Sequence, residues 1–403
     1  MKRFNYEAKD TATGKIVKAS IQAESENSAA KLLLSQGFTP RTIKEQDENA
    51  SIISKLTNRI TTKDRVVFTR QLSTLIAAGL PLAQSLHTVL EQTQNKKLQT
   101  VIEDIISNIE GGKALAEAFS RHPEVFSNVY LALIKAGEAS GTLDGALQRI
   151  ATQQEKDAAM MSKIRGAMVY PVIVLSVILG VVVFMLLAVV PQVRKLYEDL
   201  NQSLPFITQV MVSTADFLIR FGWFVAILAA ILIVFLRNYS KTENGIKAFD
   251  TFKLNVPVFS GLFRKLYMAR LARTGQTLLN TGVPMLDMMT ITAQAVNNVV
   301  IGKSITNAAE KVKGGKALSE SLKTEDYILP FVPQMINIGE KSGQIDQMMG
   351  KAAQVYEDEL DEQIASISTA IEPILMVVLA LVAGSLVGAI LLPIYGLVNN
   401  INL

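Results

Sequence analysis

The chain has no cysteine, and that absence removes disulfide scaffolds, thiolate zinc sites, iron–sulfur clusters and cysteine nucleophiles from consideration. Histidine is nearly missing too. The only two in 403 residues are His87, set among Leu86, Val89 and Leu90, and His122, directly before Pro123, and neither position points to catalysis or metal binding. Charged side chains make up 19% of the chain against an ordinary value of about 25%, while hydrophobic ones reach 49%. The net charge is only +4, and no Lys/Arg run of the length that marks a nucleic-acid surface is present, so nucleic acid is not an expected partner. No catalytic residue, metal or cofactor is expected from this inventory.

The shortage of charge is local. No charged residue occurs between Arg165 and Arg194, and the core of that stretch, Met168 to Val190, covers roughly 35 Å as a helix, enough for a hydrocarbon layer of about 30 Å. A second run, Phe217 to Leu236, contains only Arg220, near one end where its side chain can reach the headgroups. After Glu372 no charge remains, and Ile374 to Leu397 reads as a third span with Pro373 in the first turn of its helix. The opening MKRFNYEAKD is charged throughout and lacks the apolar core of a signal peptide, which keeps the first domain on the cytoplasmic side. Lys156, Lys163 and Arg165 precede the first span and Arg237, Lys241, Lys247 and Lys253 follow the second, seven in all, against Arg194, Lys195 and Arg220 between them. That excess places both large polar regions inside.

The polar regions are copies of one another. Gly79-Leu80-Pro81 recurs as Gly282-Val283-Pro284, and Gly111-Gly112-Lys113-Ala114-Leu115 as Gly314-Gly315-Lys316-Ala317-Leu318, both 203 positions on. Gly137-Glu138-Ala139-Ser140-Gly141 recurs as Gly339-Glu340-Lys341-Ser342-Gly343, followed by Pro171 with Pro373 and Pro191 with Pro393, all 202 positions apart. A duplication explains the order and the spacing. Each copy ends in one inside-to-outside span, so both can lie on one side only if an extra span returns the chain; the second span is that return.

Within a copy the apolar period is helical. Phe68, Leu72, Leu75 and Ile76 step along one face, as do Leu98, Val101, Ile102, Ile105, Ile106 and Ile109, which predicts five or six short helices per copy. Thr61 and Asp64 have the spacing of a capping box. Ahead of the first copy, alternation at Phe4, Tyr6 and Ala8, a turn at Thr13-Gly14 and the run Ile16 to Ile21 predict a hairpin; Ser25 caps a helix to Leu34, Gly37 closes it, and Thr39 to Ile43 returns as a strand. The expected fold is mainly α, a polytopic membrane protein with two homologous cytoplasmic helical bundles, three transmembrane helices and a small α/β N-terminal domain. Its divisions are a β-α-β domain at 1–45, a linker at 46–61, the first bundle at 62–167 and span one at 168–190. A periplasmic segment at 191–216, span two at 217–236, the second bundle at 237–371, span three at 372–397 and a tail at 398–403 complete it.

Several motifs invite chemistry. Gly302-Lys303-Ser304 resembles the end of a phosphate loop, but a Walker A loop needs glycine five positions before its Gly-Lys, and position 297 is Asn. The two Gly-Gly-Lys motifs read as turns between helices. In the repeated Gly-Glu-x-Ser-Gly loops, Glu138 and Glu340 are candidates for contact with a basic partner; structurally, Gly137 would end one helix while Glu138 or Ser140 caps the next. Glu357, Asp358, Glu359, Asp361 and Glu362 form an acidic cluster, with Glu155 and Asp157 as first-copy equivalents. A hard cation would suit their oxygens, and a solvated helix face accounts for them more simply. Ala380, Gly384 and Gly388 make a small-residue stripe in span three, suited to packing against span one or to dimerisation.

Taken together, RQLSTLIAAGLPL, GGKALAEAF, IKAGEASGTLD and KIRGAMVYPVIV, with INIGEKSGQID and AIEPILMVV in the second copy, resemble the polytopic inner-membrane platform family of type II secretion systems and type IV pili, the pilus branch being favoured. The resemblance covers nearly the whole chain; Glu372 departs from its first-copy counterpart Tyr170. It implies a non-enzymatic protein of the bacterial inner membrane that couples a cytoplasmic hexameric ATPase to insertion or extraction of pilin or pseudopilin subunits. Inner-membrane alignment proteins and further copies of the chain are implied as partners. The residues carrying the repeated motif are Gly79, Pro81, Gly137, Glu138, Gly141 and Pro171, with Gly282, Pro284, Gly339, Glu340, Gly343 and Pro373. A small transporter or channel subunit is the alternative, disfavoured because no span carries a charge near its midplane.

The charge asymmetry makes a direct prediction. In a chain without native cysteine, a cysteine introduced at Gln202 should react with an impermeant maleimide while the inner membrane is intact. Labelling only after permeabilisation would reverse the topology.

Overall fold

The computed structural model describes residues 2–10, 16–23, 26–35, 37–45, 59–199, 206–257 and 259–401. Two compact units are present, Met1–Asp64 with Leu90–Glu103, and Arg65–Val89 with Asp104–Leu403. In the first, β1 (Lys2–Asp10) is the central strand of an antiparallel sheet, flanked by β2 (Ile16–Ala23) and β3 (Phe38–Glu45). Phe4 pairs with Ile21 and Tyr6 with Ala19, and the register towards β3 slips between Glu7 and Ala8, opposite Pro40. A proline has no N–H for the ladder, so its place is on an edge strand beside such an irregularity. Helix α1 (Glu26–Ser35) buries Leu33 completely, and Gly37, at φ 82°, closes it with an N–H bond of 3.2 Å to Leu34 O. The Thr13-Gly14 turn, the Ser25 cap and most of the linker lie outside the described residues. The capping box forms as its spacing predicts: Thr61 N–H donates to Asp64 Oδ2 at 2.8 Å and Asp64 N–H to Thr61 Oγ1 at 3.2 Å.

The first copy comprises α2 (Thr62–Ala77), α3 (Leu82–Gln92), α4 (Lys96–Glu110), α5 (Leu115–Ser120), α6 (Asn128–Ser140) and α7 (Leu143–Phe184). Its core is aromatic, with Phe119 edge-on to Phe126 at 4.5 Å, Tyr130 4.9 Å from Phe126, and Phe68 5.9 Å from Phe126. The second copy comprises α10 (Glu243–Asn255), α11 (Ser260–Leu279), α12 (Met285–Ala295), α13 (Val299–Lys313), α14 (Leu318–Lys323), α15 (Phe331–Ser342) and α16 (Ile345–Ile401). Here the sequence counterparts of Phe68 and Phe119 are Leu271 and Leu322. Methionine fills the gap: Met268, Met288, Met289 and Met349 are buried, while Ala272, Ala352 and Ala353, wholly buried in one cluster, let α11 and α16 lie close together. Gly79, Gly112 and Gly141 end α2, α4 and α6 at φ 84°, 84° and 71°, and Gly282, Gly315 and Gly343 repeat this at 79°, 91° and 72°. Only glycine adopts that left-handed cap without strain, which is why these positions carry the repeat.

Among the described residues, three helices are long and apolar enough to cross a membrane. Helix α7 passes Pro171 without a break, widens into a π-helical turn at Met185–Val189 and continues as α8 (Val190–Asp199). Helix α9 (Phe206–Tyr239) carries the second apolar run. Leu186 and Val190 bury against Val212 and Ala215, and Arg194 bonds Asp216 at 2.6 Å and Glu198 at 2.7 Å. The third apolar run lies in α16, and one expectation fails there: Pro373 is not in a first turn but deep inside a helix that began at Ile345. A proline costs the helix one hydrogen bond, and the packing of the half that lies in the bundle holds it through that loss.

A second expectation fails at Gly137, which does not end α6. The helix runs on to Ser140 and stops at Gly141, whereas Gly137 is the point where α6 and α7 touch: a Cβ there would lie 2.5 Å from the Ala146 Cβ. Gly339 is equivalent, with Ile345 Cα at 2.6 Å. We therefore expect Gly339→Ala to cost about 1–3 kcal/mol of stability, measured as the thermal unfolding midpoint of the full chain in detergent. Gly384→Ala, at a position with nothing within 4 Å, should leave the midpoint unchanged.

Candidate functional site: the seam between the repeats

In each copy an arginine on the first long helix grips a glutamate on the last. Arg70 Nε and Nη2 donate to Glu155 Oε1 and Oε2 at 2.6 and 2.5 Å, and Arg273 Nε and Nη2 donate to Glu357 Oε1 and Oε2 at 2.7 and 2.8 Å. The planar guanidinium matches a carboxylate through two parallel bonds, so the clamp fixes the register of the two helices as well as their distance. The hydrogen bonds that Arg70 donates to Glu155 hold its guanidinium above its ordinary pKa against the opposing effect of burial. The two clamps differ in setting. The Arg70 and Glu155 side chains are 37% and 40% exposed, those of Arg273 and Glu357 both 15%.

What covers the second clamp is the first copy. Lys156 Nζ bonds Glu357 Oε2 at 3.2 Å and Lys163 Nζ bonds Asp361 Oδ2 at 2.6 Å, both reaching from α7 to α16. Between them Thr277 Oγ1 lies 3.4 Å from Gln153 Oε1, and Asn128 Nδ2 donates to Gln294 Oε1. Lys265 neutralises Glu359 at 2.9 Å, and Asp358 accepts from Gln354 at 2.9 Å. The acidic cluster is therefore not simply a solvated face. Its counter-charges come from lysines and an arginine, and like charges on successive turns are tolerated because several face separate cations. Repetition of Arg70 and Arg273 at one offset and Glu155 and Glu357 at the other was the signal in the sequence that could have found the clamps.

The repeated glutamates cap helices, but not the ones that follow them. Glu138 accepts from the N–H groups of Leu115 and Ala116 at 2.7 and 3.1 Å, capping α5 twenty-odd residues earlier in the chain. Glu340 does the same for α14, accepting from Ser319 N–H at 3.2 Å and from the Ser319 hydroxyl. A carboxylate on the first turn of a helix meets free N–H groups and the positive end of the dipole. Ser140 bonds back to Ala136 O at 2.8 Å within its own helix. His87 bonds Glu110 at 3.0 Å, and His122 bonds Asp104 at 2.8 Å. That imidazole contact, helped by Arg121 and opposed by burial, holds the Asp104 carboxyl below the usual range.

The remaining candidates separate cleanly. Gly302 lies in α13, where a Cβ would approach Ala293 O to 2.6 Å, so Gly302-Lys303-Ser304 is a helix-packing segment. Pro81 and Pro284 stand at the starts of α3 and α12. Pro171 and Pro373 are interior to the long helices. Ala380 and Gly384 are exposed, and Gly384 and Gly388 have no described atom within 4 Å of a built Cβ, so the stripe does not pack against span one among the described residues.

A tandem helical repeat, clamped within each copy, paired across the seam and continuous with its membrane spans, defines a class of polytopic membrane protein. The family model for type II secretion system (T2SS) protein F matches residues 68–191 and 271–393, and the model for its N-terminal domain matches residues 1–44. The chain belongs to this family. Both clamps fall within the matched segments. The chain is similar to the type IV pilus assembly protein PilC of Thermus thermophilus, 36% identical over 403 residues and 99% of each chain. It is 35% identical to PilC of Myxococcus xanthus over 401 residues, 99% of this chain and 96% of that one. The type II secretion system protein F of Xanthomonas campestris pv. campestris is 34% identical over 406 residues, covering 100% of both.

The two clamps provide an internal comparison. Glu357→Gln should lose roughly 3 kcal/mol, because it leaves Arg273 largely buried with a weakened partner. Glu155→Gln, at the exposed clamp, should lose less than about 1 kcal/mol. Denaturant or thermal unfolding of the detergent-solubilised chain distinguishes them, and equal losses would remove the distinction in burial.

Proposed function

We propose that the chain is the inner-membrane assembly platform of a type IV pilus or type II secretion machine, with its N-terminus and both bundles in the cytoplasm. In this reading it is not an enzyme. A cytoplasmic hexameric ATPase acts on the bundles, pilin or pseudopilin subunits enter or leave the membrane beside the spans, and alignment proteins and further copies of the chain complete the assembly. Family membership supports the platform role, and the names of the pilus and secretion relatives support the two kinds of machine. The observation that carries the mechanics is helical continuity: Leu143–Phe184 and Ile345–Ile401 each begin in a bundle and run into a span. A helix is stiff along its axis, so displacement of a bundle is transmitted to its span with little slack.

The paired helices move together as far as Lys163 and Asp361, the last ion pair between them before the membrane. A flexible Gly-Ser insertion after Gly166 leaves that pairing in register and interrupts only the link to span one. It should preserve membrane insertion and the unfolding midpoint while abolishing pilus assembly or secretion. Undiminished assembly or secretion in that variant would show that the platform recruits its partners without transmitting force.

A further inference from the structure

Helix α10 lies outside every segment the family models match. Three residues separate it from the end of α9 at Tyr239, and the turn between them has no slack. Thr242 N–H and Oγ1 both donate to Tyr239 O, at 3.0 and 2.8 Å, and Gly245 N–H donates to Thr242 Oγ1 at 3.1 Å. A Cβ on Gly245 would lie 1.7 Å from Tyr239 O, so α10 folds directly onto the end of the span.

Three faces run along α10. Asp250 and Leu254 share the buried face, and Gly245 is buried at the turn; Asp250 fastens the helix to the second bundle by accepting from Val299 N–H at 2.9 Å, while Lys253 of the same helix stands 2.9 Å from its other oxygen. Asn244, Thr251 and Asn255 make a polar face. Ile246, Phe249 and Phe252 recur every three residues on a third face and are exposed, Phe252 by 66%. Ile246 and Phe249 are each 37% exposed, so the face is open chiefly at Phe252. Arg237 and Lys241, both exposed, stand at the end of the span and in the turn that leads into α10, whereas Lys247 lies on the opposite side of the helix from Phe249.

We propose that α10 is an interfacial membrane anchor, its Ile246, Phe249 and Phe252 face seated at the headgroup boundary of the leaflet where the second span ends, with Arg237 and Lys241 on anionic phospholipid. Continuity with the span selects lipid over a protein partner. Tyr239, 40% exposed and stacked on Phe235 at 6.2 Å, belongs to the lipid-facing end of α9, and the tight turn keeps α10 at that level. A bulky apolar face beside basic side chains is the pattern of helices that lie in the interface rather than cross it. Asp250 then makes the anchor mechanical, because fixing α10 to the surface fixes the height of the second bundle above it. The inference needs only the membrane spans and stands whichever machine the platform serves.

The test uses the full chain, which has no native cysteine, reconstituted in vesicles of phosphatidylcholine with phosphatidylglycerol. Phe252→Cys and Asn244→Cys variants carry an environment-sensitive fluorophore. Quenching by brominated lipid should be severalfold stronger at position 252 than at 244, and aqueous iodide should show the opposite order. Adding Lys241→Glu should reduce the lipid quenching at 252 severalfold, whereas Lys247→Glu, on the far side of the helix, should not. Where Phe252→Cys lowers the unfolding midpoint, Phe249→Cys replaces it. Equal iodide access at both positions, or protection of position 252 only when a cytosolic extract is added, would overturn the proposal, the second outcome pointing to a protein partner.

Discussion

A helix that enters hydrocarbon cannot stop there, because every backbone N–H and C=O exposed to lipid without a partner costs several kcal/mol. The rest of this molecule is arranged around that requirement. Each copy ends in a helix that begins among the bundle's own side chains and is committed to continue until it has crossed, so bundle and span are one rigid element. Prolines and a π-helical turn are accommodated inside these helices without breaking them. Because both copies end in crossings of the same sense, a third crossing must return the chain, and α9 with its short amphipathic follower α10 serves that need.

Rigidity of the long helices shifts the burden of alignment to the halves that lie in the bundles. Two bidentate arginine clamps set the register inside each copy, and lysines on one long helix meet carboxylates on the other. Buried and half-exposed versions of the same clamp have different roles. The exposed Arg70–Glu155 pair orients α7 at little energetic consequence, whereas in the buried Arg273–Glu357 pair the loss of either partner would leave the other charge stranded. Hydrophobic packing supplies adhesion, aromatic in the first copy and methionine with alanine in the second, and the ion pairs supply direction.

What could be read from the sequence was what depends on neighbours along the chain. Apolar runs between Arg165 and Arg194 or after Glu372 are visible as strings of letters. The capping box at Thr61 spans three residues, and the glycines that end helices recur at fixed offsets because their backbone angle is a local property. Roles set by distant partners were hidden. Glu138 was recognised as a cap but assigned to the wrong helix, since the N–H groups it accepts from belong to Leu115 and Ala116. Gly137 was taken for a helix end because glycine often marks one, whereas the constraint there is the approach of Ala146. The acidic cluster read as solvated because its cations lie on other helices, from Lys156 to Arg273.

The pairing across the seam has given the duplicated halves a polarity. Lys156 contributes the positive partner from the first copy, and the residue at the same place in the second copy is Asp358; Lys163 is likewise matched by Ala365. The first copy has become the donor of positive charge and the second its acceptor, although both descend from one ancestral unit. A chain made of two second copies would set aspartate against Glu357, where lysine now sits. The halves are therefore no longer interchangeable, and the order in which they follow one another has become as fixed a property of the protein as the fold of either.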